Sequence, residues 1–254
     1  MEEPWQTLRA EVKGITLDLW GTILDDAHPP ASTIIYSEQR QWFLLEELRH
    51  CGYAITAEQV QAAYKQAWNY FDDLWEKQIG FCADDGLREM LKHLHAELSP
   101  ESYQRVLDFF ESYKAPPLPL DGAVSAIQAL AQHYPLALIS DTAWTPGWRL
   151  REILDDYEIL NCFRALIFSG ETGRTKPHPE MFRRALAGLQ LLPQACLHVG
   201  DLQKTDVAGA KAMGMYAAWI HRPHYAGKAQ ADHQPDVIVT GVSECAKHLL
   251  EERL

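Results

Sequence analysis

The chain has 254 residues, 47% apolar and 23% charged, a composition that excludes intrinsic disorder and collagen-like repeats. Its 23 basic and 35 acidic side chains leave a net charge of −12, the wrong sign for a general nucleic-acid binder. No run reaches the roughly 18 to 20 consecutive apolar residues of a membrane span, no basic-then-apolar leader opens the chain, and five scattered cysteines without a CxxC pair point to reduced thiols in a cytoplasm.

The first short apolar run, Ile15–Leu19, predicts a buried strand. Residues 34–114 hold four helical patterns and no strand. Leu44, Leu45 and Leu48 mark the first helix. Val60, Tyr64, Ala67, Phe71 and Trp75 follow a Thr56-to-Gln59 capping box. Leu87, Leu91, Leu94 and Leu98 form the third stripe. Ser99-Pro100 opens the fourth, which carries Tyr103, Val106, Phe110 and Tyr113. Such a set reads as a small bundle with its own core. The stretch Ala115 to Pro119, rich in proline, is stiff and extended and reads as a hinge, paired with another near 27–33.

Five further apolar runs follow at Leu136–Ile139, Ala165–Phe168, Cys196–Val199, Tyr216–Ile220 and Val237–Val239. They alternate with helical segments, the rhythm of a doubly wound, mainly parallel α/β sheet. Thr145 and Pro146 predict an N-cap and first helical residue for a helix toward Leu154. Asp206 is expected to cap a helix that Gly214 ends, and Ser243 to open a last helix ending near Glu252.

Ligands of an open parallel sheet bind beyond the carboxyl ends of its strands. The polar residues that end the runs are Asp18 to Thr22 (DLWGT), Ser140-Asp141, and Gly200-Asp201 followed by Asp206; Lys176 lies in the turn GRTKPHP between the third and fourth runs. Each has a bland reading alone, as a cap, a turn residue or a solvated lysine. Their order on parallel strands brings them to one edge.

These four segments resemble the signatures of the haloacid dehalogenase-like (HAD) hydrolase superfamily: DLWGT at 18–22, Ser140 in LALISDT, Lys176 in GRTKPHPEMF, and Gly200, Asp201 and Asp206 in VGDLQKTD. The resemblance covers essentially the whole chain. It implies a Rossmann-like core at 1–27 and 117–254 and an all-α helical cap at 28–116, closing as a lid. It also implies roles. Asp18 would be the nucleophile, forming a covalent aspartyl intermediate, and Thr22 would orient its loop. Ser140 and Lys176 would hold the anionic oxygens, with Asp141, Gly21 and Trp20 completing the anion pocket. Mg²⁺ would bind Asp18, Asp201 and the backbone carbonyl of Trp20, with Asp206 a direct or outer partner. The charge count agrees: Asp18, Asp201 and Asp206 give −3 and Lys176 +1, leaving −2 for a divalent cation to cancel.

Trp20 departs from the family's phosphatases, which carry there a second Asp as general acid and base. Indole can do neither, and losing that help costs typically 10²- to 10⁴-fold. Leaving groups that need no proton would suffer least; alternatively Asp25, Asp26, His28, Glu38 or Arg40 substitutes. The reading is a cytoplasmic Mg²⁺-dependent phosphohydrolase for a small anionic phosphorylated metabolite, a monomer or homodimer that binds neither nucleic acid nor membrane. Two alternatives are a metal-independent 2-haloacid dehalogenase, toward which Trp20 leans and in which Arg40 or Arg49 would bind the substrate carboxylate, and a non-catalytic binder of phosphorylated ligands. Trp42, Trp68, Tyr70, Phe71, Trp75 and Phe81 belong to the bundle core or line the pocket. His221 to His224 is a surface turn or a modest anion site. No HExxH or GxGxxG is present.

Overall fold

The computed structural model describes residues 3–25, 31–112, 117–221 and 233–251, with the backbone alone for 31–36. Asp26, His28, Tyr113, Arg222, His224 and Glu252, and the proposed hinge positions 27–30 and 115–116, lie outside the described residues. All six apolar runs are strands: β1 (Gly14–Leu17), β2 (Leu136–Ser140), β3 (Phe163–Phe168), β4 (Cys196–Gly200), β5 (Tyr216–Ile220) and β6 (Val237–Val239). They form one sheet in the order β3-β2-β1-β4-β5-β6, and every neighbouring pair is parallel. The order reverses between β1 and β4, the switch point at which open parallel sheets bind their ligands, beyond the carboxyl edge.

The side-chain alternation of the strands builds two layers. Ile15, Leu17, Leu136, Leu138, Leu197 and Val199 face one cluster, covered by α1 (Glu3–Glu11), α6 (Ala123–Ala131), α7 (Gly147–Asp156) and α11 (Val242–Leu250). Ala137, Ile139 and Cys196 face the other, covered by α9 (Pro179–Leu189) and α10 (Ala208–Ala212), the one-turn α8 (Ser169–Thr172) leading from β3 toward α9. Both faces of β1, β2 and β4 are therefore buried, which is why these strands read as unbroken apolar runs rather than alternating ones.

Between β1 and β2 the chain forms α2 (Ala31–His50), α3 (Ala57–Glu76), α4 (Ala83–Leu94) and α5 (Pro100–Glu111). The Thr56–Gln59 capping box is complete, and the Ser99 side chain accepts from the Ser102 backbone. Leu44, Leu48, Val60, Tyr64, Leu87, Met90, Val106 and Phe110 share a cluster, but its centre is Trp144, from the loop after β2. That indole stacks on Tyr64 at 5.1 Å and meets Phe81 and Phe110 edge-on at 5.4 and 5.7 Å. The insert thus borrows part of its core from the sheet domain, contrary to the expectation of a self-sufficient bundle.

Other expectations shift. Helix α7 starts at Gly147, so Pro146 is its cap residue and Thr145 lies one position outside. Asp206 caps no helix: it sits inside a wide turn, Gln203–Val207, whose Val207 N–H reaches back five residues to Leu202. The last helix starts at Val242, after Gly241. Helix α1, unanticipated, buries Trp5 and Leu8 and stacks Trp5 on His248 at 4.6 Å. Among the described residues no helix is long and apolar enough to cross a membrane.

Candidate active site

The site forms where β1 and β4 end side by side. Asp18 directly follows β1, and its backbone N–H donates to Val199 of β4. The turn that follows needs Gly21: φ is +73°, and a Cβ there would collide with the Asp201 carboxylate. Gly200 meets the same demand from the other side, since a Cβ there would strike the Asp206 carboxyl. The two glycines let three acidic side chains close in. The carboxylates of Asp18, Asp201 and Asp206 offer oxygens that all lie within 4.8 Å of one another.

A buried cation bridges two of these carboxylates. Lys176, 3% exposed, donates from Nζ to Asp18 Oδ1 and, at 2.7 Å, to Asp206 Oδ1. The Thr22 hydroxyl donates to Asp18 Oδ2 at 3.3 Å. Asp206 takes two further donors: the Leu202 backbone N–H on Oδ2 at 3.0 Å and His198 Nε2 on Oδ1 at 3.1 Å. Ser140 is fully buried and points its hydroxyl at the Asp141 carbonyl, 3.4 Å away. Asp201 is anchored through its own carbonyl, which accepts from the Trp219 indole at 2.9 Å.

The electrostatics follow from this crowding. Burial, together with the charge of Asp206, raises Asp18 to about 7 despite Lys176. Burial would raise Asp206 too, but Lys176 and the His198 hydrogen bond overcome it and hold that carboxyl well below the usual range. Two carboxylates sharing one ammonium split in this way, the better-bonded one staying ionised. Lys176 is pushed up: desolvation opposes its charge, but Asp18, Asp206 and Asp141 outweigh it. Burial lowers His198.

The structure brings Asp18, Thr22, Gly21, Lys176, Asp201 and Asp206 together, with Ser140 and Trp20 at the adjoining strand ends. Asp141 is placed differently from the anion-binding expectation. Its Oδ1 accepts the Lys176 backbone N–H at 2.9 Å and its Oδ2 accepts the Trp75 indole at 3.1 Å. A carboxylate so engaged repels an anion instead of receiving it, and burial raises it to about 6. Of the six insert aromatics, Trp75 reaches the site edge, Phe81 is core, and Trp42 and Trp68 are 60% and 36% exposed. Arg40 is buried in the insert with Nε on the Phe110 carbonyl at 2.9 Å, and Arg49 pairs with Glu46 on the surface. The site also includes residues that sequence reasoning passed over, Thr16 and His198. The signal was available: each is a polar residue inside an otherwise apolar strand run.

The insert is tied to the sheet domain around this site. Glu76 and Lys204 pair at 2.6 Å, the Lys204 ammonium lies 5.1 Å from the Trp75 ring centre, and the Gly80 N–H donates to the Gly173 carbonyl at 3.0 Å.

A parallel sheet reversing between β1 and β4, a helical insert after β1, and carboxylates gathered on one buried lysine define a Rossmann-like class that assembles its site from chain-distant strand ends. Residues 12–214 match the family described as haloacid dehalogenase-like hydrolase. The chain belongs to that family. It is 36% identical to a phosphoserine phosphatase of Thermus thermophilus over 104 residues, 41% of each chain, and 34% identical to a glyceraldehyde 3-phosphate phosphatase of Pyrococcus furiosus over 95 residues, 37% of this chain and 38% of the relative. These matches span well under half of the relatives' length. Over a longer span it is 26% identical to a putative uncharacterized hydrolase of Schizosaccharomyces pombe, across 79% of this chain and 87% of that one. A HAD phosphatase from Thermococcus onnurineus shares the fold with a TM-score of 0.63 at 20% identity, covering 96% of this chain and all of that one (100%). A 2-haloacid dehalogenase from Pseudomonas syringae does so with 0.66 at 23%, covering 95% and 99%.

Proposed function

We propose that the chain is a Mg²⁺-dependent phosphohydrolase that cleaves a small phosphorylated metabolite through an aspartyl-phosphate on Asp18, with residues 28–116 as its cap. The observation that carries this reading is the contact of Lys176 with both Asp18 and Asp206. It presents a carboxylate nucleophile, a cation for phosphoryl oxygens and an acidic cluster in one buried place. The phosphatases among the relatives support the same chemistry.

The donor set fits the metal. Three carboxylates within 4.8 Å of one another are hard oxygen ligands of the kind Mg²⁺ takes, and like charges about 4 Å apart cost roughly 4 kcal/mol at an effective dielectric near 20. Asp18 and Asp201 would hold the ion, with the Trp20 carbonyl. Asp206, whose oxygens already accept from Lys176, His198 and the Leu202 N–H, would act through water. When bound, the ion supplies charge neutralisation for the phosphoryl group and for Asp18.

The chain's own residues account for the rest. Thr22 and Lys176 donate to different oxygens of Asp18, fixing the plane of the nucleophile before substrate arrives, so the entropy of alignment is already spent. Asp18 attacks phosphorus, the P–O bond to the leaving group breaks, and Lys176 and Ser140 stabilise the transferred oxygens. Ser140 is free to turn toward phosphate, because its present bond to the Asp141 carbonyl is long and weak. Water then attacks the aspartyl-phosphate, releasing phosphate and restoring Asp18. Trp20 offers no proton, which favours acyl phosphates, anhydrides and aryl phosphates.

Trp20 also favours a second reading, metal-independent dehalogenation of a 2-haloacid. Against it stand Asp201 and Asp206, whose charges oppose a carboxylate substrate. A screen of acetyl phosphate, p-nitrophenyl phosphate, sugar phosphates and 2-chloropropionate, with Mg²⁺ or EDTA, separates the readings. Phosphate release lost with EDTA and with Asp18→Asn is the expected result. Chloride release in EDTA would replace it with the second reading, and saturable binding of phosphate esters without turnover would leave a non-catalytic binder.

A further inference from the structure

Thr16 and His198 interrupt the apolar runs of β1 and β4, and both are buried, at 0% and 1% exposure. They are paired across the parallel ladder, and Thr16 Oγ1 lies 2.8 Å from His198 Nδ1. The far edge of the ring places Nε2 on Asp206 Oδ1 at 3.1 Å. Phe182 packs edge-on against the imidazole, 5.2 Å between ring centres. A hydroxyl and an imidazole in such a place are costly unless bonded, and every polar atom of both side chains is used.

The direction of each bond is fixed by chemistry. The Asp206 carboxylate only accepts, so the ring proton sits on Nε2. Burial against Phe182 disfavours a positive charge on the ring, and Lys176 Nζ, 2.7 Å from the same oxygen, adds to that. The neutral ring leaves Nδ1 bare, and the Thr16 hydroxyl donates to it. Asp206 is therefore held from both sides, by the ring on Oδ1 and by the Leu202 N–H on Oδ2, and cannot swing away from Lys176.

We propose that Thr16 and His198 are positioning residues for the hydrolysis, the ring, locked as its Nε2–H tautomer, fixing Asp206 so that Lys176 stays aimed at Asp18. The relay starts at Thr16 in β1 and ends at Asp18, the residue directly after that strand, so its two ends are only two residues apart in the chain. This inference rests on the phosphohydrolase reading for its kinetic consequence and on geometry alone for its tautomer.

The test combines kinetics with a spectroscopic signature. On acetyl phosphate at saturating Mg²⁺, His198→Leu is expected to lower kcat roughly tenfold to a hundredfold, the worth of one hydrogen bond to a charged group. KM should stay within about threefold, since the ring does not touch substrate. His198→Gln should restore kcat to within about fivefold of wild type, because its amide can donate to Asp206 and accept from Thr16. In the full chain labelled with ¹⁵N-histidine, proton–nitrogen correlations should show Nε2 protonated and Nδ1 bare, and Thr16→Val should erode that preference. The proposal is overturned if His198→Leu keeps kcat within about twofold, if a folded His198→Gln loses as much as a folded His198→Leu, or if the proton sits on Nδ1. Should His198→Leu not fold, the glutamine and Thr16→Val arms decide. A wild-type protein that releases no phosphate would refute the functional reading, and the ring spectrum and its response to Thr16→Val would still judge the relay.

Discussion

Trp75, next to the last residue of α3, donates its indole N–H to Asp141 at 3.1 Å, and the other oxygen of Asp141 accepts the backbone N–H of Lys176 at 2.9 Å. One carboxylate thereby joins the helical insert to the loop that carries the site lysine. Trp75→Phe keeps an aromatic side chain, smaller than indole, and deletes the donor, leaving Asp141 one partner short. The expected loss is about 1 to 3 kcal/mol in urea unfolding, with faster amide exchange at Gly80 and Thr175, where the insert meets that loop. Glu76→Gln, which breaks only the exposed pair with Lys204, should cost no more than about 1 kcal/mol. Equal effects from the two substitutions would show that the indole bond carries no special weight.

Asp141 also gives stability a pH dependence of definite sign. Burial raises it from the ordinary 3.8 to about 6. Below the ordinary value both folded and unfolded chains hold the proton, and the group contributes nothing. Between the two values the unfolded chain releases it first, so the folded state loses stability as pH rises. Above about 6 the loss is complete, at most about 3 kcal/mol. Asp141→Asn does not titrate. Relative to wild type, its unfolding free energy should therefore improve between roughly pH 4 and pH 6.5. A difference that stays flat across that interval would mean that Asp141 ionises as it does in water.

The sheet was legible because strands buried on both faces leave continuous apolar runs, and the residues ending those runs, Asp18, Ser140 and Asp201, are the ones at the carboxyl edge. The four insert helices were legible from their stripes and from the Thr56 and Ser99 caps. What spacing did not reveal is which side chains meet across distance. Trp144 follows β2 with no periodicity to mark it, yet it packs in the insert core; Asp141 reads as an anion contact, yet its carboxylate accepts from Trp75 and from the Lys176 backbone. Asp206 resembled a helix cap because caps and wide turns use the same residue types. The Trp5 and Leu8 pair on α1 had helical spacing, but its value depends on α11, more than two hundred residues away.

Lys176 is the only cation contacting the acidic cluster among the described residues. Lys176→Met removes the ammonium from buried Asp18 and Asp206 and breaks both ion pairs, which costs about 3 to 5 kcal/mol. Thermal unfolding in EDTA should show that loss. Mg²⁺ should restore more of it than it adds to wild type, because binding to the folded state alone stabilises it and the extra negative charge strengthens the binding. Activity should not return, since Mg²⁺ cannot replace the ammonium beside Asp18. If Mg²⁺ shifts neither protein, the acidic cluster is not a metal site.

Trp20 is the residue on which substrate preference turns. It is half-buried against the sheet cluster, so Trp20→Asp trades packing for a group able to carry a proton, and some stability should be lost. If protonation of the leaving oxygen is the missing step, the gain depends on how badly that oxygen needs a proton. An alkyl phosphate leaves as a strongly basic alkoxide and should gain most, by up to roughly the 10²- to 10⁴-fold worth of a positioned acid. Acetyl phosphate leaves as acetate, already stable without a proton, and should gain little. The measurement is the ratio of kcat/KM on glycerol phosphate to that on acetyl phosphate, in variant and wild type, which cancels any general loss of folded protein. A ratio that does not rise would show that the absent acid is not what limits this site, and would return attention to Asp25 at the end of the Asp18 loop.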